Sequence, residues 1–367
     1  MSTPPPAGRT FSGMDLIGVG VAASGLGAIV VAIVGGLHQW SFATPTVVVM
    51  AATEEPEPEA APLVEALAPE EVAPPATPAP APLAQEGGVW PVERSDEDVA
   101  VTRADALEVV RVARIATEDP FWAAWRAAPY VEVPLLAQQM AMPQLDAASV
   151  SKLRVQGLCD GRSIAWRIGW DDPTPDGNVD AGRFSDAVAI AFPLDPGAPP
   201  MMGSKEHRVQ ILYWKALWQK DIDVGFQDVQ SLHPNYWTDL YWFAEGQFPY
   251  PVPSAFQHPA SRQWFIAHQA GNPMAAFSRS QPVEELVAEG WSTLTHQPHS
   301  ATTGRGAWVD GRWAVVLRRP LTTTDPLDYT FTADGRGQAA FAVWEGTAGN
   351  RGGRKQWSSW VDFAVKP

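Results

Sequence analysis

PPMMGSKEHRVQILYWKA, Pro199 to Ala216, is the stretch from which the rest of the chain is read. Its Pro-Pro pair leads into two methionines and a glycine, which is turn chemistry. From Val209 the side chains alternate. Val209, Ile211 and Tyr213 fall on one face, and Gln210, Leu212 and Trp214 on the other, the period of a strand. Upstream, FSDAVAIAFP (Phe184 to Pro193) reads as a partner strand bounded by Asp186 and Pro193. The pair places a soft thioether at the mouth of a strand.

Working outward, two hairpins stand out. KLRVQGL and SIAWRIGW flank the turn Cys159-Asp160-Gly161-Arg162, and GAWV and RWAVVLRR flank Asp310-Gly311. Tyr130–Leu136, Tyr329–Thr332, Gln338–Trp344 and Lys355–Val365 read as further strands. Ala104–Ala116 fits helix or strand, and Pro282–Gly290 (PVEELVAEG) reads as a short helix or turn. Ala216–Pro282 is aromatic and loop-rich, and its His233, His258 and His268 lack metal-ligand spacing. Many short strands with turn signals between them predict an all-β fold over residues 89–367. The expected form is an antiparallel β-sandwich with short helices and long loops.

The N-terminal part follows different rules. Residues 1–13 are polar, and Leu16–Leu37 runs 22 residues without a charge. At about 1.5 Å per residue that length spans a hydrocarbon core. Residues 14–38 are therefore expected to form a transmembrane anchor or uncleaved signal, with cleavage after Ser41-Phe42-Ala43 as the alternative. Arg9 before the span favours an inside N-terminus. Residues 51–88 are rich in Pro, Ala and Glu, the composition of a semi-rigid disordered linker.

The bulk composition removes several functions. The net charge is −15, and residues 51–90 hold eight glutamates and no Lys or Arg. With no basic patch, nucleic acid is not an expected partner. Cys159 is the single cysteine. An internal disulfide, a CxxCH haem attachment, an iron–sulfur cluster and a cysteine-rich zinc site are thereby excluded. No GxSxG, HExxH or P-loop is present, so no catalytic residue is assigned. Asp171, Asp172, Asp176 and Asp180 offer oxygen ligands for Ca²⁺, but in no EF-hand pattern, and an ordinary polar loop is the preferred reading. The 17 tryptophans suit a β-sheet core, the walls of a flat cofactor pocket or a sugar-binding platform.

Two isolated segments carry candidate metal ligands: Met201-Met202-Gly203 and Gly353-Arg354-Lys355. A thioether is soft and neutral and suits low-spin iron. A lysine amine ligates only when deprotonated, which burial favours by lowering its pKa. On the residues alone, core packing of the methionines and a solvated lysine compete with ligation.

Five blocks in order carry a resemblance: FSDAVAIAFP, PPMMGSKEHRVQILYWKA, SQPVEELVAEGWSTLT, GRGAWVDGRWAVVLRRPL and FAVWEGTAGNRGGRKQWSSW. From about Ala104 to the C-terminus the chain resembles the haem-b-binding gamma subunits of ethylbenzene dehydrogenase, dimethylsulfide dehydrogenase, and selenate and chlorate reductase. It also resembles the similar subunit of nitrite oxidoreductase. The resemblance implies a β-sandwich holding one non-covalent haem b through a methionine and a lysine. By motif position these are Met202, with Met201 as the alternative, and Lys355. Arg354, Arg305 and Lys215 are candidate propionate partners. It further implies a non-catalytic electron-transfer subunit, working with a molybdopterin catalytic subunit, an iron–sulfur subunit and an external carrier, either a cytochrome or a quinone-linked protein. Unlike the soluble members, this chain carries the apolar segment and acidic linker. It is expected on the periplasmic side of the bacterial inner membrane, anchored by its N-terminal helix. A carbohydrate-binding β-sandwich without haem is the alternative; it would leave Met202 and Lys355 far apart.

Overall fold

The computed structural model describes residues 102–227, 229–233, 264–276, 278–331 and 335–366. The expected anchor, the linker, the boundary at residue 89 and His258 lie outside the described residues. Among the described residues no helix is long and apolar enough to cross a membrane.

The strands are β1 (Leu107–Arg111), β2 (Val131–Pro134), β3 (Leu136–Ala137), β4 (Lys152–Cys159), β5 (Ser163–Asp171), β6 (Ala187–Pro193) and β7 (Val209–Lys215). They continue as β8 (Val283–Ala288), β9 (Thr295–His296), β10 (Thr303–Val309), β11 (Arg312–Pro320), β12 (Arg336–Trp344), β13 (Gln356–Trp357) and β14 (Val361–Val365). Helix α1 (Ala216–Asp223) continues directly from β7, and α2 (Val229–Leu232) and α3 (Ile266–Gln269) are single turns.

The first layer runs β10-β11-β5-β4-β1-β14-β12, with β2 also beside β4. The second runs β12-β6-β7-β8-β9, with β13 and β3 extending it beyond β12. Strand β12 belongs to both layers. Arg336–Ala339 pairs with β14, and Ala340–Trp344 pairs with β6. This shared strand turns the corner of the sandwich. Ring contacts join the layers: Trp214 of β7 meets Trp313 of β11 at 5.1 Å, and Trp166 of β5 meets Phe192 of β6 at 6.3 Å.

Both expected hairpins form. Asp310 and Gly311 adopt positive φ of 49° and 77°, the two-residue turn that matches strand twist. Asp160 caps the other turn by accepting from the amides of Arg162 and Ser163 at 2.9 and 2.7 Å.

Five readings are corrected. Pro282–Gly290 is not helical: β8 pairs with β7 and β9, and all six of its residues are buried, so no alternation marked it as a strand. Tyr329, Thr330 and Phe331 are in no strand; Tyr329 and Phe331 instead pack their rings on Phe192. Lys355–Val365 is two strands: the Ser358 amide still donates to Phe341 O, but its hydroxyl replaces its carbonyl in accepting from Phe341 N, and pairing resumes at Val361 in a register shifted by one. The sandwich is not wholly antiparallel, since β1 lies parallel to both β4 and β14. The loop-rich stretch after Ala216 begins with α1.

Candidate cofactor site

The two faces of β6 differ. Val188, Ile190 and Phe192 point into the core between the layers, whereas Ala187, Ala189 and Ala191 point outward. Register extends this outward face across the layer. Ala340, Ala191, Ile211 and Leu286 form one cross-strand row. Ala342, Ala189, Tyr213 and Glu284 form the next, and Trp344, Ala187 and Lys215 a third. Side chains of one row share a face at neighbouring-strand spacing. Alanine stops at Cβ, so two rows of it leave a flat depression where larger residues would fill the space.

That depression is the floor of a cavity of about 270 Å³. Pro200, Met201 and Met202 wall one side, and Gly352, Gly353, Lys355 and Trp357 the other. Met142, Trp291 and Leu294 stand at the rim, each at least half exposed.

Met202 is held there by backbone. Met202 and Gly203 have φ of 69° and 65°. The Gly203 amide donates to Pro199 O at 3.2 Å, and Gly290 N donates to Met202 O at 2.7 Å. A Cβ on Gly203 would lie 2.6 Å from His207 O, so the turn requires glycine. A left-handed methionine costs about 1–2 kcal/mol, and strain of this kind gathers where a side chain is aimed for a purpose.

Lys355 arrives from the opposite wall. Its Nζ lies 3.7 Å from Met202 Sδ and 5.1 Å from the centre of the Trp344 ring. Burial pushes its pKa from the ordinary lysine range down to about 8. Among the described residues it forms no ion pair. Lys215 makes the contrast: burial lowers it too, but it pairs with Glu284 and lies 3.8 Å over the Trp218 ring. Both amines touch a thioether, Lys215 that of Met274 at 3.8 Å, but only Lys215 is also charge-compensated.

The structure thus brings Met202 and Lys355 together, with Met201 buried in the same wall. It does not bring in the candidate propionate partners. Arg354 adjoins the cavity, but its guanidinium donates to Gln144 O at 3.1 Å. Arg305 pairs with Asp223 at 3.1 Å, and Lys215 is taken by Glu284. His233 pairs with Asp180 at 2.8 Å, and His268 meets Ala275 O at 3.2 Å. Asp172 binds Trp170 and Thr174 through its carboxylate, and no cluster of metal-type ligands occurs among the described residues. The sequence reading missed the alanine floor, Trp344 and Gln138. The alternation of small and large residues in AVAIAFP was the available signal for the floor.

The family model for ethylbenzene dehydrogenase matches residues 122–356. The chain belongs to this family. A curated relative from Haloferax mediterranei, named "Putative respiratory nitrate reductase heme subunit ORF7", is 27% identical over 275 residues, covering 73% of this chain and 77% of the relative. Among solved structures, a carbohydrate-binding protein of Bacteroides uniformis, so described provisionally, aligns with 7% identity and a TM-score of 0.35 over 71% of this chain and 99% of that one. A family 9 carbohydrate-binding module of Caldicellulosiruptor kristjanssonii, solved with glucose, aligns with 7% identity and a TM-score of 0.31 over 71% of this chain and 95% of that one. Likenesses this distant carry no argument about ligands.

Proposed function

We propose that this member of the ethylbenzene dehydrogenase family is a non-catalytic electron-transfer subunit that holds one non-covalent haem b between Met202 and Lys355. The observation that carries this reading is the 3.7 Å approach of Sδ and Nζ across an apolar, flat-floored cavity. The donor set fits the group. A thioether is a soft ligand, and a lysine whose pKa is lowered to about 8 is readily deprotonated. With Met202 and Lys355 both holding the iron, the group would exchange electrons rather than bind substrate. The relative's name, a heme subunit of a respiratory reductase, points the same way.

Bound there, haem would supply one-electron exchange. The protein's share is positioning and exclusion of water. Ala189, Ala191, Ala340 and Ala342 leave room for a flat ring, and Met202 is aimed by its strained turn. The Trp344 indole donates to Gly352 O at 2.9 Å and so ties the floor to the segment carrying Lys355. Tyr213 packs on Trp344 at 4.7 Å and closes the floor on that side. We further place the chain beside a molybdopterin catalytic subunit and an iron–sulfur subunit, passing electrons to or from an external cytochrome or quinone-linked carrier. Leu16–Leu37 would tether it at the periplasmic face of the bacterial inner membrane.

The test is a dithionite-reduced minus air-oxidised difference spectrum of the purified full chain supplied with haem. A sharp b-type α-band is expected, and Met202→Ala or Lys355→Ala should abolish it or convert the haem to high spin. A folded protein that takes up no stoichiometric haem would sink the proposal. The carbohydrate-binding alternative required the two residues to lie far apart, and their contact counts against it.

A further inference from the structure

Gln138 is 2% exposed and lines the cavity, yet its side chain is spent entirely on backbone. Its Nε2 donates to Ala141 O at 2.7 Å, to Gly353 O at 2.8 Å and more weakly to Pro143 O at 3.3 Å. Its Oε1 accepts from Met140 N at 2.6 Å and Ala141 N at 2.7 Å. The main chain joins in. Gln138 N donates to Lys355 O at 3.0 Å, and Leu145 N donates to Gln138 O at 2.8 Å. Strand β3 pairs Ala137 with Gln356, so Gln138 stands opposite Lys355 at the next position of the ladder. Arg354 secures the far end of the same loop through Gln144 O.

We propose that Gln138 is the positioning residue for Lys355. It fastens the 138–145 loop onto the 353–355 segment and so holds the amine inside the cavity against Met202. The consequence for a cofactor rests on the haem reading; the positioning itself does not. An amine in an apolar cavity with no counter-charge is drawn toward water. Among the described residues its amine meets the thioether and, at 5.1 Å, the Trp344 ring, but no counter-charge, so the main chain around Lys355 must hold it in place. That main chain is fixed at Gly352 O by Trp344, and at Gly353 O and Lys355 O by Gln138. Gln138 also shapes the rim, because the loop it organises carries Ala141 and Met142 into the cavity lining. One buried amide thus places both the ligand segment and part of the cover.

The experiment compares Gln138→Ala and Gln138→Met with the wild-type full chain, and with Gln139→Ala, an exposed neighbour that bonds Asp146 O. Gln138→Met keeps the volume and removes every side-chain hydrogen bond, so it decides the matter should Gln138→Ala fail to fold. The first readout uses protein without haem, labelled at the methionine methyls. The cross-relaxation signal between the Met202 methyl and the Lys355 side chain should vanish in the Gln138 variants and persist in Gln139→Ala. Amide exchange at Met140 and Ala141 should quicken by about tenfold or more, as expected when local opening no longer breaks those bonds. The second readout is the spin state of haem at equal stoichiometry, where the low-spin fraction should fall in the Gln138 variants alone. Retention of the wild-type Met202–Lys355 signal in Gln138→Met would overturn the proposal. So would a loss equal to that in Gln139→Ala. If the contact is lost but the wild type takes up no haem, the positioning role stands and the haem reading falls.

Discussion

The outer faces of the two layers are built from similar strands and finished in opposite ways. On the first layer, Leu158, Ala165, Ala307, Val309 and Val316 are covered by Ile115, Phe121, Trp125 and Ala128 of the segment after β1. Two buried polar residues fasten this cover. Gln156 donates to Trp125 O and Ala128 O at 2.9 and 2.7 Å, and Arg167 donates to Pro120 O at 2.7 Å. On the second layer, no described segment fills the space above Ala189, Ala191, Ala340 and Ala342, and the cavity remains. The first face is closed by an indole; the second, among the described residues, is left as a cavity over alanines, which is the arrangement the haem proposal requires.

The largest expected effect falls on the covered face. Trp125→Ala removes a side chain with 0% exposure and should destabilise the domain by about 3–5 kcal/mol, read by denaturant titration, with cavity ligation intact in the folded fraction. Unchanged stability would mean the cover is dispensable.

A matched pair sharpens the contrast. Ala165→Leu overpacks beneath the cover and should cost about 1–3 kcal/mol. Ala189→Leu projects into the cavity and should leave the melting temperature within a few degrees, about 1 kcal/mol or less, while abolishing haem uptake. Equal melting losses in the two variants would erase the distinction between a packed face and an open one.

Gly203→Ala comes next. The substitution meets both a positive φ and the 2.6 Å approach of His207 O, so about 2 kcal/mol is expected, together with a weakened Met202 ligand. Calorimetry and the reduced spectrum should change together. A spectrum that stays unchanged while stability falls would show that the turn serves folding alone.

A separate test is a pH dependence. Burial, with repulsion from Glu345 and Asp176, raises Asp172 to about 7, and burial, with repulsion from Asp172, raises Asp186 to about 8. Between the ordinary carboxyl range near ~4 and pH 8, the folded state holds protons that the unfolded chain releases, so stability falls as pH rises. Lys355 acts with the opposite sign in a higher window. Its pKa is lowered from 10.5 to about 8, so the unfolded state holds more protons there, and stability recovers as pH rises from 8 to 10.5. A melting-temperature minimum near pH 8 is expected, with Asp172→Asn flattening the acidic limb and Lys355→Met the alkaline one. A monotonic profile would contradict the pair.

Much of the sandwich was legible because its signals are local. Turns such as Asp310-Gly311 require positive φ, and half-buried strands show period two, so both hairpins and β6–β7 were read with little error. Where burial is two-sided the signal disappears. In VEELVA both glutamates are buried, Glu284 with Lys215 and His296 on the outer face, Glu285 with Thr302 and the Ala301 amide on the inner one. Charged residues at buried positions erase the alternation that marks a strand.

For the site, the sequence by itself determined the residue types: a methionine before a glycine that must adopt a left-handed turn, and a lysine after Gly-Gly-Arg. Their chemistry made them candidates before any contact was known. Only the tertiary structure decided that they meet. Met202 and Lys355 are 153 residues apart, and their contact depends on a strand shared by two layers, a floor of alanines contributed by two strands, and a buried glutamine. Each of those is a non-local arrangement whose parts look ordinary alone. Local propensity acts over a few residues, whereas the lowered pKa of Lys355 and the direction of Met202 are set by packing that brings distant segments together.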